Sequence, residues 1–191
     1  IEEAFEYAVL EYPFSFWQWG ADCNAIPDAD GPLDEVLDHF LSVSGMSFFS
    51  DEGMEDYASH YYQCADELGY YGYENEKFNA LLRALPKSSH PSAIFTPQHM
   101  EVKYDGGALA QDVYEWVQAN GDAFVYINGA LDTWSATAMP PNKSLDALYF
   151  FLKNQNHGTA RIRNMDNEQK QQLKLHLERW LGLPITGSLA N

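Results

Sequence analysis

Cysteine is scarce in this chain: Cys23 and Cys64 are the only two in 191 residues. Two cannot build a disulfide scaffold; they leave open either a single bridge in an oxidising compartment or two free thiols. Basic residues are few as well. Eleven Lys and Arg stand against 28 Asp and Glu, for a net charge of −17. That balance argues against nucleic acid or an anionic membrane as the main partner. It suits a solvated acidic surface, and it would also favour a cationic ligand such as a free peptide amino terminus. No apolar run approaches the roughly 20 residues of a membrane-spanning helix. His39, His60, His90, His99 and His176 do not share a recognised metal spacing with one another, with Cys or with a carboxylate, so no metal and no cofactor are expected. Asp28-Ala29-Asp30-Gly31 lacks the ligand spacing and closing Glu of a calcium loop and reads as a turn. Repeats and low-complexity tracts are lacking too.

What is present is apolar and aromatic. Hydrophobic residues make up 46%, enough for a real core, and 12 Tyr, 11 Phe and 5 Trp make the chain rich in aromatics. The first residue is Ile1 rather than Met, inside a helix-like pattern, so the true start is expected elsewhere. Phe5, Ala8, Val9 and Tyr12 recur at helical spacing, and Pro13 is expected to stop or kink that helix. The aromatic block Phe14-Ser15-Phe16-Trp17-Gln18-Trp19-Gly20 follows, as core or as the wall of a pocket. Pro32 opens a second helix with Leu33, Val36, Leu37, Phe40 and Leu41 on one face, and residues 42–49 read as a linker. Ser50 caps a third helix carrying Met54, Tyr57, Tyr61, Ala65 and Leu68, ended by Gly69. Asn75 caps a short fourth one with Phe78, Leu81 and Leu82, closed by Pro86. Residues 88–105 read as a loop with one possible strand at 93–96. Leu109, Val113, Trp116 and Val117 mark a fifth helix, ended near Gly121.

The pattern then changes. Residues 123–128 and 147–152 are continuous apolar runs, as expected of strands buried on both faces. A last helix starts near Asp166 with Gln169 as its capping-box partner, buries Leu173, Leu177, Trp180 and Leu181, and ends at Gly182 and Pro184. The chain thus divides into a helical part, 1–107, and an α/β part, 108–191. Two strands are too few for a stable sheet buried on both faces, so partner strands are expected from the remainder of a larger polypeptide.

Asp132 lies four residues beyond the first run and His157 five beyond the second. In parallel strands both fall at the carboxyl end of the sheet, where open α/β sheets bind ligands. Singly, one is an ordinary turn residue and the other an ordinary loop histidine. Together, as strand, Asp, strand, His and helix, they have the order of an α/β-hydrolase tail, in which the triad runs Ser, Asp or Glu, His. A carboxylate there can fix the imidazole tautomer and stabilise the imidazolium that forms when the ring takes a serine proton.

Four segments carry a family resemblance. Gly129-Ala130-Leu131-Asp132-Thr133-Trp134-Ser135 resembles the Gly-x-x-Asp-Pro-Trp segment of proline-specific serine exopeptidases, among them lysosomal Pro-X carboxypeptidase and dipeptidyl peptidase II. Asn156-His157-Gly158-Thr159-Ala160-Arg161 and the aromatic block at 14–20 are similar to segments of the secreted bacterial prolyl tripeptidyl aminopeptidases. Tyr62-Gln63-Cys64-Ala65-Asp66-Glu67-Leu68-Gly69-Tyr70 resembles a Tyr-Gln-x-Cys-Thr-Glu-x-Gly-Tyr segment of the lysosomal relatives. The resemblance covers most of the chain. It implies the C-terminal portion of an α/β hydrolase preceded by a mostly helical lid, secreted or periplasmic. It implies Asp132 as triad acid and His157 as general base, with Glu67 in the lid segment that would meet the free amine of a peptide substrate. Trp17 and Trp19 would offer the proline ring an aromatic wall.

The chain departs from the family pattern in three places. Thr133 stands where proline is usual, Cys64 is one position off the lysosomal cysteine, and there is no Gly-x-Ser-x-Gly; Ser44-Gly45 lacks the preceding glycine. The nucleophile is therefore expected outside this chain. An esterase or lipase sharing the Asp and His, and a degenerate homologue acting as a binding protein, remain as alternatives.

Overall fold

A computed structural model describes residues 1–70, 72–73, 75–85, 95–96, 100–187 and 189. They group into two units. One comprises residues 1–16 and 22–113; the other comprises 17–21 and 114–191. No helix among the described residues is long and apolar enough to cross a membrane.

The first unit is helical. Helix α1, Glu2–Trp19, contributes its first four turns to it. The buried stripe is Ala4, Tyr7, Ala8 and Glu11, one position round from the face expected from Phe5, Ala8, Val9 and Tyr12. Of the expected stop or kink at Pro13, the stop does not occur: α1 runs through it to Trp19. Proline removes one backbone donor and crowds the preceding turn, but Tyr12 and Phe16 on either side keep their rings packed, with centroids 5.8 Å apart. The core gathers Tyr7, Phe49, Tyr61, Leu85 and Phe95 around Ala4 and Ala8. Burial pushes the Tyr61 phenol well above its ordinary value, with the neighbouring Tyr70 and Glu11 adding to the effect.

Helix α2, Leu33–Val43, follows Pro32 as expected and carries Asp34 and Glu35 in its first turn, where the helix dipole favours them. Its Phe40 packs on the core, while Leu33, Leu37 and Leu41 stay exposed. The expected linker holds a short turn, Met46–Phe49, that buries Phe49. The expected third helix is divided in three. Helix α3, Asp51–Asp56, is capped by the Ser50 hydroxyl, which accepts from Gly53 N at 3.1 Å. Helix α4, Ala58–Gln63, begins after a break at Tyr57. A wide turn, Cys64–Leu68, completes the run before Gly69. Residues 75–85 form successive turns, with Phe78 N bonded to Asn75 O and Leu81 N to Phe78 O, rather than the expected helix. Of the possible strand at 93–96, residues 93 and 94 lie outside the described residues, as do Pro86, His90 and His99; Phe95 and Thr96 are not in a strand. Cys23 and Cys64 are both free, the first exposed and the second buried.

The second unit is the α/β one. Strand β1, Val125–Gly129, pairs in parallel with β2, Leu148–Leu152, in the register Val125↔Leu148 to Gly129↔Leu152. Ala123 has φ +59°, which excludes it from the strand that its apolar neighbours suggest. Burial is one-sided rather than two-sided. Leu148, Phe150 and Leu152 are buried with Val125 and Ile127 against them, whereas Phe151 on the other face is exposed. Helix α5, Ala108–Asn120, straddles the two units, with Leu109, Val113 and Trp116 exposed. Helix α6, Asn167–Leu181, covers the buried face with Leu173, Leu177 and Trp180, while Leu181 is exposed rather than buried. The predicted capping box of Asp166 and Gln169 and the Gly182 terminator are both in place.

At the amino end of the sheet, Asp146 accepts from Arg179 Nη1 and Nη2 and from Trp180 Nε1. The Arg179 bonds, then the indole, hold its carboxyl down to about 2. This clasp fixes the last turns of α6 to the start of β2.

In the first unit, Glu6 closes the loop 83–85 onto α1. Its carboxylate accepts from Arg83 N at 2.6 Å, Ala84 N at 3.0 Å and Leu85 N at 2.8 Å. Desolvation pushes the carboxyl up, but these three donors and the Arg83 charge together outweigh it and hold it below the ordinary glutamate value. Its contribution is therefore present above that value and is lost as the pH falls through the lowered one. Glu6→Gln is expected to cost about 1 kcal/mol at pH 7, after allowance for solvent screening. The loss should vanish in acid, as read from urea midpoints at pH 7 and pH 3.

Candidate active site

β1 and β2 each end by delivering a polar loop to the same edge of the sheet. Beyond β1, Ala130 N bonds Leu152 O at 3.0 Å and Leu131 N bonds Gln155 O at 2.9 Å. The strand pairing thus continues into the two loops and sets their relative register. Gly129 permits it. A Cβ there would lie 2.5 Å from Gln155 O and 3.1 Å from Asn156 O, both backbone atoms, so any side chain would drive the loops apart.

Asp132 then uses its two carboxylate oxygens for different tasks. Oδ1 accepts from Trp134 N at 3.0 Å, capping the short turn Thr133–Thr137. Oδ2 lies 2.8 Å from His157 Nδ1. A carboxylate only accepts, so Nδ1–H is the donor. The capping bond fixes the carboxylate, and the carboxylate fixes the ring. Thr133, where the family pattern has proline, begins this turn and leaves the capping bond intact. The Asp132 side chain is 11% exposed and that of His157 41%, so the acid is sheltered while the imidazole reaches solvent. With Nδ1 engaged, Nε2 is the nitrogen that can take up and return a proton.

A third segment meets the histidine. Residues 17–21, which belong to the same unit, run beside 156–158. His157 N donates to Gln18 O at 2.9 Å, and Asn156 Nδ2 donates to Trp19 O at 2.9 Å. The Trp19 ring stands edge-to-face to the imidazole, centroids 5.2 Å apart at 76°. Trp19 and Trp17 are both exposed, at 59% and 45%. Among the residues singled out in the sequence, then, Asp132, His157 and Trp19 come together. Glu67 lies in the wide turn of the first unit, half-buried, and accepts from Gln63 Nε2 at 3.4 Å.

Sequence reasoning missed Asn156 and the two glycines that make room for the contacts, Gly20 and Gly129. A signal for Asn156 exists. Asn followed three residues later by Thr is a pattern for local side chain to backbone bonding, and here Asn156 Oδ1 accepts from Gly158 N and Thr159 N. Among the described residues, no three His, Cys, Asp or Glu side chains converge to hold a metal ion.

The geometry can hold a neutral imidazole in one tautomer and stabilise its protonated form. Gly129→Ala is expected to cost about 1–3 kcal/mol through overpacking and to separate Asp132 from His157. The hydrogen-bonded Nδ1 proton of His157, followed by NMR, should be lost to exchange with water while far-ultraviolet dichroism is retained.

Three comparisons bear on this arrangement. The family model described as PS-10 peptidase S37 matches residues 1–187. A prolyl tri/tetrapeptidyl aminopeptidase of Streptomyces mobaraensis is 26% identical over 187 residues, which are 95% of this chain and 38% of that protein. The chain thus spans well under half the length of that curated relative. No solved structure matches. With the family model extending over nearly the whole chain, through both the aromatic helix end and the Asp132–His157 pair, this chain belongs to the PS-10 peptidase S37 family.

Proposed function

We propose that this chain supplies the acid and the general base of a serine exopeptidase with an α/β-hydrolase fold. The enzyme would release short proline-containing peptides from a free amino terminus. The observation that carries this reading is the 2.8 Å bond between Asp132 Oδ2 and His157 Nδ1, formed where two parallel strands end side by side. Support comes also from the peptidase family and from the activity for which the Streptomyces relative is named.

In the proposed reaction a serine from the remainder of the same polypeptide attacks the scissile carbonyl. His157 Nε2 takes the serine proton and gives it to the departing amine, leaving an acyl-enzyme. Water then attacks, passing a proton to the same nitrogen, and the serine is released on its return. Asp132 holds the tautomer throughout and stabilises the imidazolium. Trp17 and Trp19 would form an aromatic wall for the proline ring, and Glu67 would pair with the substrate amine. Residues 1–107 would form the helical lid and 108–191 the C-terminal part of the catalytic domain. By its resemblance to the secreted aminopeptidases, the enzyme would act outside the cytoplasm, without metal, cofactor, nucleic acid or membrane.

The test is an assay of the full-length protein on a tripeptide reporter ending in proline, with free and blocked amino termini and a short acyl ester alongside. Asp132→Asn and His157→Ala are each expected to lower kcat by about 10³–10⁴-fold. Unchanged rates in both would sink the assignment. Equal turnover of blocked peptide, or faster turnover of the ester, would point instead to an esterase.

A further inference from the structure

The histidine loop is held from a side that the triad does not explain. Asn156, next to His157, uses every hydrogen-bonding atom of its side chain. Oδ1 accepts from Gly158 N at 2.9 Å, Thr159 N at 3.0 Å and Thr159 Oγ1 at 3.0 Å. Nδ2 donates to Trp19 O at 2.9 Å, a residue 137 positions away. Its backbone N donates to Thr159 Oγ1 at 2.9 Å, and its backbone O accepts from Ala160 N at 2.9 Å. The loop is folded on this one amide, and the amide is fastened to the last residue of α1.

Gly20 makes the fastening possible. It has φ +75°, and a Cβ built on it would lie 2.2 Å from Asn156 Nδ2. That space exists because the asparagine amide fills it. The neighbouring bond, His157 N to Gln18 O at 2.9 Å, seats the histidine backbone on the same segment. A Cβ built on Gly158 would lie 3.9 Å from the Trp19 ring, which stands edge-to-face to the imidazole at 76°.

We propose that Asn156 is the positioning residue of His157. Through Trp19 O and Gly20 it locks the imidazole against Asp132 on one side and Trp19 on the other, so that Nε2 points where the serine proton must be taken. This rests on the reading of Asp132 and His157 as acid and base. Asn156 does not touch the reacting atoms. Its effect is on geometry, and therefore on kcat, because positioning acts on the chemical step more than on substrate affinity.

The experiment uses the full-length enzyme with the proline-containing tripeptide reporter. Asn156→Ala is expected to lower kcat by about 30–100-fold, as for a misplacement on the order of 1 Å, with KM within about twofold. Gly20→Ala should lower kcat in the same way, by pressing on the amide. The double variant should be no worse than Asn156→Ala by more than about fivefold, because the clash disappears with the amide and only the cost of the positive φ at position 20 remains. Asn156→Asp, which keeps the Oδ1 acceptor but loses the Nδ2 donor, should recover part of the loss and guards against a merely misfolded alanine variant. His157→Ala in the same assay separates the two claims. An active His157→Ala overturns the acid and base assignment. An inactive His157→Ala beside an Asn156→Ala of wild-type kcat overturns the positioning role alone, as do fully additive losses from Gly20→Ala and Asn156→Ala.

Discussion

Five backbone pairs, Val125↔Leu148 through Gly129↔Leu152, hold β1 and β2 parallel. Parallel pairing puts the carboxyl ends of both strands at one edge, and every polar contact of the candidate site is built outward from there. Leu131 N on Gln155 O carries the register past the last strand pair, so Asp132 and His157 arrive within one hydrogen bond of each other. The burial of Leu148, Phe150, Leu152 and Leu173 steadies the pairing from one face. A slip of one residue would turn these side chains out and separate the two loops.

Scarce cations shape how the rest is fastened. With 28 acidic residues and 11 basic ones, most carboxylates have no ammonium or guanidinium to meet. Backbone N–H groups take that place. Glu6 gathers the loop 83–85, Asp105 accepts from Gly107, Ala108 and Leu109 at the start of α5, Asp166 caps α6, and Asp132 caps its own turn. Hydrogen bonds to an ionised acceptor are the stronger kind, and each satisfies donors that a helix start or turn leaves open. Asp146 with Arg179 is the contrasting case, an ion pair placed where a helix end must be held to a strand.

The elements legible in the sequence are those in which local chemistry and tertiary packing agree. The capping box at Asp166 and Gln169, the Ser50 cap and the Gly182 terminator are short-range patterns and sit where the residues imply. The failures are places where packing overrides a local rule. Pro13 lies within α1 because the rings around it are already packed, and the run after Ser50 breaks at Tyr57 although its apolar spacing is unbroken. Ala123 is apolar and extends the β1 pattern, yet its positive φ excludes it. In the site, Asp132 and His157 are legible because each follows an apolar run by a few residues. Asn156 is not, because its distinguishing bond reaches 137 residues back.

The sequence by itself determines the periodicities, caps and turns, and the order strand, Asp, strand, His, helix, since each depends on residues a few positions apart. Tertiary structure alone decides that β1 and β2 are parallel neighbours, that the end of α1 groups with the second unit, and that Gly20 lies under the Asn156 side chain and Gly129 under the Gln155 backbone. These are contacts between distant segments, and no local propensity carries them. The stretch from Gly129 to Trp134 shows both sides of this. Its residue types mark a loop that could carry an acid, but only the close approach of Gln155 and His157 determines which oxygen of Asp132 meets the imidazole and which stays on Trp134 N.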